Sequence, residues 1–531
     1  MKLLIALLAV SSSTTGGGLF STEEVPDQVS SSGLFSSEEV PDTSGSSGLF
    51  SSVPDAPVFA PKVRSTIEFS TEASVDTAFD RDQENILELS ITGKFSLDVD
   101  FAPSLSAYVA PKFDHQTAWT ESFDDRGFLF LSVPEAYLTW GQGRTYIRMG
   151  TQVFNWGTSD FAAPADVLNP MDLRKGLVSG SDPGANKIPV LAAEAVTGFG
   201  PFTLRGVFQP FFTPSRFFLS GWDDSIGSIA AATGAGFMFP DLSGLLGNAT
   251  ADHIGDQLLI TNRPEDRPDS GTIGARATVQ LDMLDFSVTA VHGWESFPRI
   301  KFDPALAIVG GQLLDSLASG KAIDPLAAAP AFDALNTAIE SGQELLEGSY
   351  ERRTLVGADA SIALDPIILK IDLAYTFERT LYTQDFYPVA RPWLNASLGL
   401  EYIMGDELQI LTEVFALTVF DVRSNERLQL LEPIAAPPSV LDIEGKERTI
   451  AMGGAIAAIR YNVLEGDLNF DFVTVSTLNR GDWFFMPAVN YKLNDDQKIN
   501  IGALIIEGKA DGYGGLFSHN DRVHIGYSWS H

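Results

Sequence analysis

The sequence predicts an all-β fold, a transmembrane antiparallel β-barrel of about 18 strands, with 16 as the alternative count and with helical extracellular or lumen inserts. Three observations predict it. From residue 62 onward apolar and polar residues alternate with period 2 over runs much longer than an ordinary strand. Turn signals divide these runs into connections that are alternately short and long. Aromatic residues gather where strands meet loops, among them Trp140, Phe154, Trp156, Phe212, Tyr382, Trp393 and Phe484, as the interfacial girdles of a membrane barrel require.

In chain order, residues 1–15 read as a secretory signal peptide, because Lys2 precedes the apolar run Leu3 to Val10 and the small residues Ser11 to Ser13. That run is too short to span a bilayer, and no later segment is long and apolar enough for a transmembrane helix. A chain that is exported and enters a membrane must then do so as a closed barrel. Residues 16–61 are rich in Gly, Ser, Pro and acids, and cannot bury enough apolar area to fold alone. They form a disordered periplasmic tail carrying three Gly-Leu-Phe-Ser repeats, each followed by Val-Pro-Asp. The pairs Leu19-Phe20, Leu34-Phe35 and Leu49-Phe50 recur every 15 residues. They are the expected anchors for a periplasmic partner, with avidity raised by repetition.

The barrel then takes residues 62–531. In 87–101 the odd positions Leu87, Leu89, Ile91, Phe95, Leu97, Val99 and Phe101 are apolar, against Glu88, Lys94, Asp98 and Asp100. Similar alternation recurs around 273–282 and 369–378. Short turns are expected near 102–104, 141–144, 198–201, 282–285, 365–366, 405–406, 465–467 and 494–497. Long loops are expected near 76–84, 114–126, 154–188, 214–271, 296–350, 381–393, 423–446, 478–484 and 508–520. Eight turns and nine loops give the strand count and put both chain ends on the periplasmic side. The last strand places Val523, Ile525, Tyr527 and Trp529 on one face, which suits recognition by barrel-insertion machinery.

A lumen at this strand count holds water, so its wall is the functional surface. The polar phase puts Arg144, Tyr146, Arg148, Gln152, Arg205, Arg276 and Arg353 on that wall as a basic set. Glu68, Glu72, Glu88, Asp98 and Asp100, and later Glu407 and Glu413, would face it as an acidic one. The third loop carries Trp156, Asp160, Asp166, Asn169, Asp172 and Arg174, a mix of charge and turn residues fit for a wet constriction, with an outward Ω-loop as the bland alternative. Two loops are apolar. Residues 224–260 hold Phe237, Met238 and Phe239, and residues 304–347 read as two helices through Leu306, Val309, Leu313 and then Phe332, Leu335 and Ile339.

Composition excludes much else. Lys+Arg 35 against Asp+Glu 69 leaves a net charge of −34, which is incompatible with phosphate-backbone binding, so no nucleic acid is expected as a partner. There is no cysteine, and the six histidines are scattered without metal-ligand spacing, so neither a metal nor another cofactor is implied. His292 and His524 have no catalytic motif around them, no G-x-S-x-G or Walker loop occurs, and the chain does not read as an enzyme.

Between residues 140 and 210 the sequence resembles a family of Gram-negative outer-membrane barrels of unknown function, which share a Gly-x-Gln-Val-x-x-Trp-Gly strand end and a downstream Asn-Pro-x-Asp. Gly150, Gln152, Val153, Trp156, Gly157, Asn169, Pro170 and Asp172 carry the match. The resemblance implies a porin-like barrel in the bacterial cell outer membrane. It also implies, for some members, service with inner-membrane exporters and periplasmic lipid carriers. The function expected is therefore passive passage of small solutes. The alternative is a gated outer-membrane component of a lipid or hydrophobic-compound route, recruited through the N-terminal repeats. Outer-membrane lipid and the insertion machinery are the expected partners, and a homotrimer is the expected form if barrels associate.

Overall fold

The computed structural model describes residues 61–76, 86–119, 126–161, 163–172, 187–216, 258–265, 267–309, 312, 325–383, 386–423, 427–429, 443–444, 448–477, 481–508 and 521–530. The signal peptide, the repeat tail with its three Leu-Phe pairs, Arg174 and most of the apolar insert 224–260 lie outside the described residues.

Twenty strands share one sheet; two of them, the short Arg427–Gln429 and Ile443–Glu444, lie in a loop, and the other eighteen form a closed ring. In chain order they are β1 (Lys62–Asp76), β2 (Ile86–Ala102), β3 (Leu105–Trp119), β4 (Arg126–Gln142), β5 (Thr145–Gln152) and β6 (Val190–Phe199). Next come β7 (Phe202–Gln209), β8 (Thr272–Gln280), β9 (Leu284–Trp294), β10 (Arg352–Leu364), β11 (Ile367–Thr383) and β12 (Pro388–Met404). The ring is completed by β13 (Leu408–Phe420), β14 (Arg448–Val463), β15 (Leu468–Thr477), β16 (Asp482–Asn494), β17 (Gln497–Glu507) and β18 (Arg522–Ser530). Each strand pairs antiparallel with its sequence neighbour, and β1 closes on β18 from Glu68↔Ser530 to Asp76↔Arg522. The expected eighteen strands are thus present, and sixteen is excluded.

Every expected short turn falls between two paired strands. Three expected loops are shorter than the sequence implies, the first being 114–126, which reduces to residues 120–125 because β3 runs on to Trp119. The stretch 381–393 reduces to residues 384–387 because β11 and β12 run on through Tyr382 and Trp393, and 478–484 reduces to 478–481 because β16 begins at Asp482.

Alternation sorts the two faces of the ring. In β9, Phe286, Val288 and Ala290 are exposed while Ser287, Thr289 and Val291 are buried. Large apolar side chains stand outward all round, with Leu131 77%, Trp140 63%, Met149 57% and Ile525 54% exposed. An apolar exterior with a polar interior reverses the soluble arrangement and fits a hydrocarbon surround. The aromatic girdle needs correction. Phe154, Trp156, Phe212, Tyr382, Trp393 and Phe484 are buried, not on the outer face. Trp140 is outward as expected, and the other outward aromatics near the short turns are Phe101, Phe199, Phe202, Phe470 and Tyr491, with Phe199 and Phe202 stacked at 5.6 Å. Clustering in sequence near strand ends marks aromatics of both faces, and only the parity within the strand separates them.

At the long-loop end, Leu258–Asn262, Arg299–Phe302 and Leu346–Ser349 form a separate three-stranded sheet, beside helix α1 (Pro325–Glu340). The apolar face of α1 is covered within the insert itself. Leu335 and Ala338 pack with Leu306, Val309, Ile300 and Leu345, and with Tyr382 at the end of β11 and Phe386 in the β11–β12 connection. The Ile300 N–H donates to the Tyr382 hydroxyl at 2.8 Å, which fastens the insert to the rim.

Candidate functional site in the barrel lumen

The described parts of the connection from β5 to β6, residues 153–161, 163–172 and 187–189, lie against the inner face of the ring. The base of the connection is organised by Asn169, which is fully buried. Asn169 accepts from the Phe154 N–H at 2.7 Å and donates to the carbonyls of Gln152 at 3.2 Å and Ile188 at 2.9 Å, so one side chain satisfies three backbone groups that leave their ladders there. The Gln152 amide donates to the Ala192 carbonyl and the Gln209 amide to the Leu168 carbonyl, both at 3.0 Å. Lys187 bridges Asp166 at 2.6 Å and donates to the Phe154 carbonyl at 2.9 Å. Asp172 lies 3.6 Å from Arg216.

An apolar layer holds the same segment on the wall. Phe154, Trp156 and Leu168 pack on Val190, Ala192, Val207 and Val291, the inward residues of β6, β7 and β9. The Trp156 ring reaches into β8 only because residue 274 is glycine; a Cβ there would meet the ring at 2.8 Å and Leu168 at 3.3 Å. Gly274→Val is expected to overpack this contact, displace Trp156 and destabilise the barrel by about 1–3 kcal/mol, measured as a lower urea midpoint by tryptophan fluorescence.

Beyond Trp156 the chain runs along the inner wall to β13. The Thr158 N–H donates to Asp372 at 3.2 Å, Asp160 takes the Lys370 ammonium at 2.7 Å, and the Phe161 N–H donates to Glu413 at 3.3 Å. Ser159 and Ser397 share a hydroxyl hydrogen bond. Lys370 also lies 2.9 Å from Glu401. Burial pushes the Asp160 carboxyl above the ordinary aspartate range, against the pull of Lys370.

The wall charges are interleaved instead of segregated. Glu194, buried on β6, stands between Arg205 at 3.2 Å and Arg148 at 3.8 Å, while Arg148 also lies over the Tyr137 ring at 4.4 Å and the Tyr146 ring at 5.4 Å. Arg276 is the direct cross-strand partner of Arg205, and donates to Asp359 at 2.7 Å and Thr289 at 3.0 Å. A continuous basic wall is therefore replaced by alternating signs, because Glu194 is the direct cross-strand partner of Arg148 and Asp359 reaches Arg276 from two residues along β10. Arg144 needs a second correction. It lies in the tight turn before β5, exposed, and donates to the Gly200 carbonyl and the Thr203 hydroxyl of the next turn, so it borders the short-turn rim. Arg353 sits near the other rim, where it and Arg379 flank Glu295. Burial opposes ionisation of Glu295, but the two guanidiniums hold its carboxyl below the usual range.

A second polar row crosses the strands away from the loop. Arg460 chelates Asp471 at 2.7 and 3.2 Å, Asn490 donates to Asp471 at 2.7 Å, Asn500 donates to Asn490 at 2.9 Å, and His524 bonds Asn500 at 2.8 Å. This row joins β14 to β18, and the sequence reading did not single it out. Its signal is the even spacing of one polar residue at the same depth in successive strands.

A family model described as "Protein of unknown function (DUF1302)" matches residues 73–482. No curated protein matches the chain. Among solved structures, Salmonella typhi OmpF in complex with daunomycin is similar at 8% identity, over 88% of this chain and 97% of that one, with a TM-score of 0.38. Acinetobacter baumannii OccAB1 is similar at 8% identity, over 88% and 96%, with a TM-score of 0.44. Pseudomonas aeruginosa OccK2 (OpdF) is similar at 8% identity, over 88% and 97%, with a TM-score of 0.43.

Proposed function

The chain belongs to that family of unknown function, and we propose that it is a water-filled outer-membrane channel, narrowed by its third loop, through which small polar and charged solutes diffuse. The observation that carries this reading is the course of residues 154–161, held against β10, β11, β12 and β13 by Thr158, Ser159, Asp160 and Phe161. A loop lodged inside the bore reduces its cross-section, and the alternating charges beside it set a transverse field that favours dipolar solutes over apolar ones. Closure of the sheet supports the membrane setting, since each of the eighteen ring strands has two neighbours and the exterior is apolar.

Single-channel recording of the full-length protein in planar bilayers under a salt gradient tests this. Discrete conductance steps are the expected result. A silent bilayer with insertion verified would overturn it, and would favour the gated route for hydrophobic compounds. In the same reading the repeat tail docks a periplasmic partner through Phe20, Phe35 and Phe50, so deleting residues 16–61 is expected to leave the conductance unchanged. A changed conductance would assign the tail to the pore.

A further inference from the structure

In the polar row that joins β14 to β18, Arg460 is neutralised by Asp471, which it chelates. One step nearer the short turns the wall carries Lys492 on β16 and Lys498 on β17, which are direct cross-strand partners. Both stand on the inner face. Val489, Tyr491 and Leu493 are outward residues of β16, and Ile501 and Ile505 are outward residues of β17, so parity turns both lysines toward the lumen. Like charges directly opposite one another destabilise a sheet.

Elsewhere on this wall each cation is met in place by a buried or half-buried carboxylate: Arg148 and Arg205 by Glu194, Arg276 by Asp359, and Lys370 by Asp160 and Glu401. Here the match is incomplete. Lys492 lies 2.8 Å from Asp495, but that carboxylate belongs to the turn and is 97% exposed, where water and salt screen it. Lys498 has neither a hydrogen bond nor an ion pair among the described residues, and the charges that act on it are the cations Lys492 and Arg460. Its other cross-strand neighbour is Ser528 of β18, whose own partner on β1 is Ser70. A half-buried ammonium with a second ammonium on one side and hydroxyls on the other lacks an anion, in a chain whose net charge is −34.

We propose that Lys498 and Lys492 form an oxyanion site on the lumen wall near the short-turn end, which takes the phosphate or carboxylate group of a small solute. The oxyanion accepts from both ammonium groups and relieves their opposition, with the Ser528 hydroxyl as a further donor. The inference rests on the channel reading for the solute that reaches the site, but the site itself is separate from the third loop and its anchors.

Pyridoxal phosphate is the probe, because its aldehyde condenses with a lysine amine with loss of water and borohydride then fixes the product for peptide mapping. Full-length protein in detergent micelles is treated with it and, in parallel, with pyridoxal, which has the same aldehyde and no phosphate. Pyridoxal phosphate is expected to label Lys498 roughly tenfold faster, the scale of a charge-assisted contact. Lys492→Gln should remove most of that advantage, and Lys492→Arg should keep it. Inorganic phosphate and citrate are the competitors. Saturable protection by either supports the site, and their order tells phosphate from carboxylate recognition. Equal labelling by the two aldehydes, or labelling that neither anion slows, would overturn the proposal. Labelling needs no current, so protected labelling in a protein that is silent in bilayers would sink the channel reading and leave the site standing. In a conducting protein Lys498→Gln should lower the anion-to-cation permeability ratio by about twofold, and an unmoved reversal potential would place the lysines off the solute path and overturn their role there.

Discussion

Replacing Asn169 with alanine is expected to release the third loop and raise single-channel conductance by about twofold or more, with larger current noise. Three backbone groups, the Phe154 N–H and the Gln152 and Ile188 carbonyls, depend on this one side chain. Each buried group left without a partner costs about 1–3 kcal/mol, so the segment gains more by unpacking into the lumen than by keeping its place. Trp156 then leaves Gly274, and the downstream anchors at Asp372 and Glu413 lose the support that aims the chain at them. The wall itself should survive, since its ladders do not use Asn169. Recording conductance beside heat-modifiable electrophoretic migration separates the two effects. An unchanged conductance in a folded variant would show that the lodged segment does not limit the current.

Glu194→Gln is expected to shift ion preference toward anions, read as a change of reversal potential under a salt gradient. The carboxylate lies between Arg205 at 3.2 Å and Arg148 at 3.8 Å, and its side chain is only 2% exposed. Glutamine keeps the shape and one hydrogen-bonding oxygen but removes the charge, so the local sum rises by one and the arginine field reaches further into the lumen. The permeability ratio should move by about twofold or more, and stability should fall by about 1–3 kcal/mol, since both arginines are about a third exposed and can recruit water. Asp359→Asn beside Arg276 should move selectivity in the same direction. A reversal potential that does not move in either variant would place the conducting path away from this wall.

The barrel was legible because its two faces differ. An apolar exterior and a polar interior impose period 2 on most strands, and Gly, Pro, Asp and Asn mark the turns where the pattern resets. Legibility failed where the inner face is not wet. In Val190-Leu191-Ala192-Ala193-Glu194-Ala195-Val196 the alternation is muted, because the inward Val190 and Ala192 lie under Phe154, Trp156 and Leu168. Glu194 was hidden in that apolar run, and with it the partner of Arg148 and Arg205. The pairing of Arg276 with Asp359 was hidden for another reason: it depends on register across three strands, which no single segment encodes. Charge and turn composition point to Asp160, yet its partner Lys370 lies 210 residues away, and Thr158 and Phe161, which bond Asp372 and Glu413 across 214 and 252 residues, carry no such signal. Asn169 stood out through the Asn-Pro-x-Asp match, and its work as a backbone substitute becomes readable only in three dimensions.

That distance along the chain bears on assembly. The Thr158 to Asp372 bond spans 214 residues and the Phe161 to Glu413 bond spans 252. The cross-links of the loop therefore cannot form until β11 and β13 are in the sheet, and contacts of such long range come late. A barrel caught midway through insertion thus has its first wall built while the bore is still unguarded. The seating of residues 158–161 is in effect a seal set after the wall stands, and it gives the insertion pathway a natural last checkpoint, at which a leaking barrel differs from a finished one by a handful of hydrogen bonds.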